Sequence, residues 1–226
     1  MKFLVDSANV ELIKEIYAFY PCDGVTTNPS ILSKGTCQPF EALRNIRALI
    51  GADAELHAQV ISEKAEDMVA EGHRIVSELG ANTYVKIPTT VEGLKAMRAL
   101  SSEGIGVTAT TVYSPMQAYL AAKAGASYVA PYVNRIDNLG YDGIETTKRI
   151  QRILTQGGFS TQILAASFKN SQQVLALCEY GIGAATVSPD VIANLIKDAN
   201  VSLALDAFQK DFASLCGDGK TMLNCD

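Results

Sequence analysis

Short apolar, β-branched runs alternate with longer amphipathic stretches along almost the whole chain. The runs are Phe3-Leu4-Val5-Asp6, Gly24-Val25-Thr26-Thr27, Glu55-Leu56-His57-Ala58-Gln59-Val60, Tyr84-Val85-Lys86-Ile87, Val107-Thr108-Ala109-Thr110, Tyr128-Val129-Ala130-Pro131-Tyr132, Gln162-Ile163-Leu164-Ala165-Ala166-Ser167 and Ala184-Ala185-Thr186-Val187. They recur at intervals of about 20 to 30 residues, the spacing of a strand-helix repeat. The stretches between them carry helix signals. Asn9 is expected to cap a helix whose apolar stripe is Val10, Ile13, Ile16 and Tyr17, with Pro21 after its end. Ser62 and Glu63 are expected to open another, through Ala65, Met68, Val69 and Ile75 to a stop at Gly80. Thr90 to Glu92, Ser114-Pro115, Ser171 and Ser188-Pro189-Asp190 read as further caps or first turns.

Eight alternating units predict an α/β fold, a single closed (β/α)8 TIM barrel, with ligand groups at the carboxyl ends of its strands. A doubly wound open sheet has the same local pattern and is the runner-up. The barrel is favoured by the number of units and by the lack of a Gly-x-Gly-x-x-Gly turn after any strand. Beyond the last unit, Val201 to Leu215 reads as an additional helix with Leu203, Leu205, Phe208, Phe212 and Leu215 available for packing. One domain is expected over 1–226, with the extra helix at 200–216 and a glycine-rich tail at 217–226 that is mobile or held by a neighbouring subunit.

Composition narrows the function classes. At 226 residues and 48% hydrophobic content, the chain can bury one large core. No apolar run reaches the roughly 18 residues of a membrane span, and an acid as early as Asp6 does not suit a secretory leader. A soluble, cytoplasmic protein is expected. Cys22, Cys37, Cys178, Cys216 and Cys225 are odd in number and lack zinc-like spacing, which suits a reducing compartment and offers no disulfide framework. A net charge of -5 with two histidines argues against nucleic-acid or anionic-membrane binding, and no His-rich or Cys-rich segment suggests a metal. Neither a metal nor another cofactor is expected.

The candidate chemistry centres on Lys86 inside Thr83-Tyr84-Val85-Lys86-Ile87-Pro88. Burial in a strand disfavours the ammonium and leaves a nucleophilic amine, the group that forms Schiff bases. A snorkelling or ion-paired lysine is the plain alternative, and this stretch alone leaves both open. In a barrel, the strand ends carry Asp6, Thr26 with Asn28, Gln59, Lys86, Thr110, Tyr132 and Ser167 at one mouth. An amine, an acid, amides, hydroxyls and a phenol are the parts for carbonyl addition and proton transfer. Thr26 and Asn28 offer hydrogen bonds to sugar hydroxyls. Arg135 is either a surface partner of Asp137 or, with Ser167 and Lys169, a clamp for a phosphate.

Val5-Asp6-Ser7-Ala8-Asn9, Gly24-Val25-Thr26-Thr27-Asn28-Pro29-Ser30, Val85-Lys86-Ile87-Pro88, the Thr110 to Tyr113 run, Tyr132-Val133-Asn134-Arg135-Ile136-Asp137 and Ala165-Ala166-Ser167-Phe168-Lys169 together resemble the small transaldolases and fructose-6-phosphate aldolases. The resemblance implies a metal-free class I mechanism in a (β/α)8 barrel, assembled as a homo-oligomer, usually a decamer of two pentamers joined through the C-terminal helix. It makes Lys86 the Schiff-base lysine, with Asp6 and Asn28 handling the donor hydroxyls, Thr110 and Gln59 holding a catalytic water, and Tyr132 as acid/base. Arg135, Ser167 and Lys169 would bind the phosphate of a sugar phosphate substrate. Gln59 and Tyr132 are the pair that the resemblance associates with the aldolase branch, where transaldolases have glutamate and phenylalanine. The expected reaction is reversible cleavage of fructose 6-phosphate to dihydroxyacetone and glyceraldehyde 3-phosphate. Transaldolase is the alternative, and a non-catalytic phosphosugar-binding barrel is a more distant one. His57 departs from the pattern, standing where phenylalanine is implied. It changes the polarity of the pocket if it faces inward and is structural if it faces the helices.

Overall fold

The computed structural model describes residues 1–225. Its elements run β1 (Lys2–Asp6), α1 (Val10–Phe19), β2 (Gly24–Thr26), α2 (Pro29–Leu32), α3 (Pro39–Ile50), β3 (Glu55–Gln59), α4 (Ala65–Leu79), β4 (Thr83–Pro88), α5 (Val91–Ser102) and β5 (Val107–Val112). They continue α6 (Pro115–Lys123), β6 (Tyr128–Pro131), α7 (Val133–Asp137), α8 (Gly143–Gln156), β7 (Gln162–Ala165), α9 (Ser171–Tyr180), β8 (Ala184–Val187), α10 (Pro189–Ile192) and α11 (Ala199–Cys216). The strands close in sequence order, each parallel to the next and β8 pairing back onto β1, so the expected closed barrel is the fold and the open sheet is not. The chain divides into a compact unit of Met1–Ile192, which holds the barrel, and a second of Ala193–Asp226, which holds α11.

Each expected apolar run is a strand because side chains on both of its faces are buried. Val5, Val25, Val85, Val129 and Ile163 are fully buried, as the near-continuous apolar character of parallel strands requires. Helix starts follow local chemistry: Asn9, Thr90 and Ser114 each accept a backbone N–H in the first turn, and Ser114 forms a full capping box with Gln117. One expected start is corrected. Ser62 and Glu63 do not open α4, which begins at Ala65, because the Ser62 hydroxyl and the N–H groups of Ile61 and Ser62 all donate to Glu71. Ser171 opens the first turn of α9, as expected, and Asn170 is the cap. Gly80, at φ 76°, does end α4. Gly93 is required where α5 passes the end of β4: a side chain there would collide with the Pro88 carbonyl.

Inside the lower half of the barrel, side chains meet across non-adjacent strands. Leu4, Tyr128, Leu164 and Ala184 pack together with Tyr84 against them. His57 is completely buried here, stacked on Tyr84 at 4.7 Å, with Nδ1 2.9 Å from Thr108 Oγ1 and Nε2 3.4 Å from Glu55 Oε2. It therefore faces inward rather than toward the helices. Lys2 Nζ donates to Glu55 Oε1 at 2.5 Å, and the Tyr128 hydroxyl donates to the same oxygen at 3.0 Å.

In the C-terminal unit, the expected extra helix is α11, capped by Asp198, with Leu203, Leu205, Phe208 and Leu215 exposed. The tail expected at 217–226 is a hydrogen-bonded turn as far as Cys225, and Asp226 lies outside the described residues.

Candidate active site

The carboxyl ends of the strands gather most of the expected residues into one constellation. Lys86 is 5% exposed at the inner end of β4, and its Nζ donates to the Thr27 carbonyl oxygen at 2.7 Å. That carbonyl lies just past β2, so Lys86 reaches past β3 toward the strand beyond it. Burial lowers the Lys86 pKa, opposed by the nearby charge of Asp6. Burial raises that of Asp6, opposed by Lys86, by a hydrogen bond from Thr26 and by Arg135. The two shifts have one sense. Both groups are driven toward their neutral forms, the pattern expected when an amine and an acid share a poorly hydrated site.

Asp6 is fixed from below. Its Oδ1 accepts from the Thr26 hydroxyl at 2.6 Å, and Thr26 Oγ1 is also 2.7 Å from Thr186 Oγ1. The Thr26 hydroxyl thus orients Asp6. Asn28 is half-buried and caps α2, its Oδ1 accepting from Ile31 N–H at 3.0 Å. Its side-chain NH2 remains the donor that a ligand can meet.

Thr110 and Tyr132 form a second pair across β5 and the end of β6, with Thr110 Oγ1 2.7 Å from the phenol oxygen. Burial raises the Tyr132 pKa, opposed by the Thr110 hydrogen bond and the charge of Arg135, so the phenol keeps its proton near neutrality. The Arg135 guanidinium lies 4.7 Å above the Tyr132 ring, and Tyr113 packs edge-on to the same ring at 5.6 Å. Arg135 is exposed, and a hydrogen bond with Tyr113 raises its pKa further.

The remaining expected residues are placed less uniformly. The turn that bears Arg135 is tied to the loop that bears Ser167, through Val133 N–H to the Ala166 carbonyl at 3.0 Å and Asn134 N–H to that of Ser167 at 2.9 Å. Ser167 adopts φ 60°, a left-handed conformation that costs a non-glycine residue energy and turns the chain sharply at the mouth. Lys169 is exposed at the rim, where its charge bears on Asp190. Gln59 pairs in register with Lys86 at the end of β3 and lines a cleft of about 770 Å³ beside α2, α3 and α4, with Leu32, Phe40, Ile61 and Arg74. That cleft touches the constellation only at Gln59. The mouth is the better candidate site, because the buried amine and phenol and the half-buried acid are there.

Three contributors carry no sequence signal of their own: the Thr27 carbonyl, the Thr186 hydroxyl and Tyr113. Among the described residues, no group of three or more His, Cys, Asp or Glu is placed to hold a metal ion, and no helix is long and apolar enough to cross a membrane. The constellation can add a neutral amine to a carbonyl, exchange protons through an acid and a phenol, and offer a guanidinium to an anion.

Known proteins resemble this chain along nearly its whole length. The model of the "Transaldolase/Fructose-6-phosphate aldolase" family matches residues 3–222. A protein of Thermodesulfovibrio yellowstonii named "Probable transaldolase" is 41% identical over 95% of this chain and 99% of its own length. One of Streptococcus pneumoniae named "Probable fructose-6-phosphate aldolase" is 36% identical over 94% of this chain and 96% of its own. The crystal structure of a protein of Coccidioides immitis, described as a fructose-1,6-biphosphate aldolase, superposes with a TM-score of 0.54 over 83% of this chain and 73% of that one. At 15% identity, that likeness is one of fold alone. With a family match over nearly its full length and relatives at this identity, the chain belongs to the transaldolase/fructose-6-phosphate aldolase family.

Proposed function

We propose that the protein is a class I aldolase that reversibly cleaves fructose 6-phosphate to dihydroxyacetone and glyceraldehyde 3-phosphate through a Schiff base on Lys86. The observation that carries this reading is the Lys86 amine, buried, held by the Thr27 carbonyl and set against Asp6. In this mechanism, the neutral amine adds to the C2 carbonyl of the ketose. The carbinolamine loses water to give an iminium ion. That cation accepts the electron pair of the C3–C4 bond as it breaks, while the C4 hydroxyl gives up its proton and leaves as the aldehyde. The resulting enamine is protonated at C3 and hydrolysed, freeing dihydroxyacetone and the amine.

Each neighbour has a role suited to its setting. Asp6 would relay protons at the carbinolamine. Tyr132, with Thr110 and Gln59, would hold the water through which the C4 proton leaves and returns. Asn28 would donate to a donor hydroxyl. Arg135, Ser167 and Lys169 would receive the phosphate, with Arg135 positioned by Tyr132 and Tyr113. On this reading the enzyme is soluble and cytoplasmic and works as a homo-oligomer.

Transaldolase is a second reading, favoured by the name that most of the compared relatives carry, among them proteins of Aquifex aeolicus and Methanococcus maripaludis. Here the enamine would be passed to erythrose 4-phosphate instead of being protonated. Against it stand Gln59, which cannot act as a base, and the phenol of Tyr132 beside Thr110. The test is acceptor dependence. An aldolase accumulates free dihydroxyacetone in step with glyceraldehyde 3-phosphate when fructose 6-phosphate is the sole substrate. Turnover only on addition of erythrose 4-phosphate, with a seven-carbon ketose phosphate as product, would establish the transferase instead.

A further inference from the structure

The C-terminal unit ends in a folded turn that brings two thiols together. α11 stops at Cys216, and Gly217 follows at φ 97°, a conformation that side-chain-bearing residues avoid. Gly217 N–H closes the helix on the Ala213 carbonyl at 2.8 Å, and Lys220 N–H then bonds the Gly217 carbonyl at 3.3 Å. Asn224 N–H and Cys225 N–H both donate to the Thr221 carbonyl at 3.0 Å. Side chains tighten the same turn: Asn224 Oδ1 accepts from Thr221 N–H at 2.7 Å, and Lys220 Nζ donates to the Asn224 carbonyl at 3.0 Å. As a result, the sulfurs of Cys216 and Cys225, nine positions apart in sequence, lie 2.9 Å from one another, each half-buried.

We propose that Cys216 and Cys225 are a disulfide-forming pair, and that their bond fixes residues 217–224 as a covalent loop on the end of α11. The backbone and side-chain hydrogen bonds of the turn hold the two sulfurs together before any bond exists. The entropy of closing the loop is therefore met by the fold and not by the oxidation step. A bonded pair sits at about 2.05 Å, so bond formation needs a sulfur displacement of less than about 1 Å. This assigns a use to two cysteines whose number and spacing suggested no disulfide framework.

The oxidant is a small-molecule disulfide such as oxidised glutathione. One protein thiolate attacks a glutathione sulfur and displaces a glutathione thiolate, leaving a mixed disulfide. The second protein thiolate attacks the protein sulfur of that mixed disulfide and displaces the other glutathione. Two cysteine thiols are oxidised, one glutathione disulfide is reduced to two glutathiones, and both thiol protons leave with them. The hydrogen bond to Cys225 pushes the Cys216 thiol up, so closure should quicken as the pH rises through the alkaline range.

Lys220 lies between the two cysteines, which gives a direct readout. Trypsin cuts after Lys210 and Lys220, so the peptides 211–220 and 221–226 separate unless a disulfide joins them. The full-length protein is equilibrated in buffers of stated ratio of reduced to oxidised glutathione, quenched with acid, alkylated and digested. The expected product is the joined peptide pair, lighter by two hydrogens than the sum of its parts, on a chain whose intact mass remains that of a single copy. It should form at a glutathione disulfide level at least about tenfold lower for the folded protein than for the same chain in urea, because the turn raises the effective concentration of the second thiol. Cys216→Ser and, independently, Cys225→Ser should each leave the other cysteine as a glutathione adduct. Equal thresholds in native buffer and urea, glutathione adducts on both cysteines without a joined pair, or a bond between two chains would overturn the proposal.

Discussion

Thr110 Oγ1 and Tyr132 Oη lie 2.7 Å apart at the barrel mouth, and the Arg135 guanidinium lies 4.7 Å above the same phenol ring. The phenol thus serves two neighbours: its hydroxyl is aimed by Thr110 and its face supports the cation. Tyr132→Phe keeps the face and removes the hydroxyl. It should lower kcat for fructose 6-phosphate cleavage by about 10²- to 10⁴-fold, the range of a lost general acid or base, and change KM far less. Steady-state kinetics of both parameters provide the check. Equal loss through KM alone would place the phenol in phosphate binding.

The partition between hydrolysis and transfer should rest on Gln59 with Tyr132. Gln59→Glu combined with Tyr132→Phe supplies a carboxylate at the end of β3 and removes the phenol acid. The ratio of seven-carbon ketose phosphate to free dihydroxyacetone, measured with fructose 6-phosphate and erythrose 4-phosphate present together, should rise by about tenfold or more, the scale on which one positioned proton-transfer group changes a rate. An unchanged ratio would remove Gln59 from the chemistry.

The charge state of Lys86 gives a pH signature. Burial lowers its pKa from the ordinary lysine value of 10.5, and the amine is nucleophilic only above its own folded-state pKa. Trapping by borohydride at subsaturating substrate should therefore rise with pH and level off below 10.5. The Asp6 charge opposes the shift, so Asp6→Asn should move that rising limb to lower pH. A limb that stays in place would mean Asp6 is neutral throughout.

Glu55, in the floor of the barrel, should govern acid stability. Burial pushes its carboxyl up, but hydrogen bonds from His57 and Lys2 outweigh burial and hold it at about 2, against an ordinary 4.5. His57 can contribute fully only when protonated, which its own burial opposes, so the Lys2 ammonium is the partner that stays charged. A depressed carboxyl contributes stability that is present above 4.5 and is lost as pH falls toward 2. The loss over that window amounts to at most about 3 kcal/mol. Glu55→Gln should flatten it, as judged by urea midpoints measured across the same range.

Much of this fold can be read in the sequence, for a physical reason. Parallel strands buried on both faces leave uninterrupted apolar runs, and Asn9, Thr90, Ser114 and Gly80 act within one turn of their own positions. Contacts distant in the chain leave no such trace. Glu71 claims the groups around Ser62 from nine or ten residues away and shifts the start of α4 to Ala65. The four-residue helices α2 and α10 are too short to show a period. In the candidate site, Lys86, Asp6, Thr110 and Tyr132 are visible as polar residues where strands end. The Thr27 carbonyl that accepts the hydrogen bond from Lys86 is backbone and carries no signature of residue type. The inward turn of His57 depends on which face of β3 meets the lumen, and only its partners Thr108, Tyr84 and Glu55 fix that.

Covalent catalysis at Lys86 is tested by intact mass after borohydride reduction in the presence of fructose 6-phosphate. A reduced three-carbon adduct is expected on the native protein and none on Lys86→Ala, with the same result when dihydroxyacetone replaces the sugar phosphate. A native protein that binds the sugar phosphate yet traps no adduct from either compound, or an equal adduct on Lys86→Ala, would contradict it.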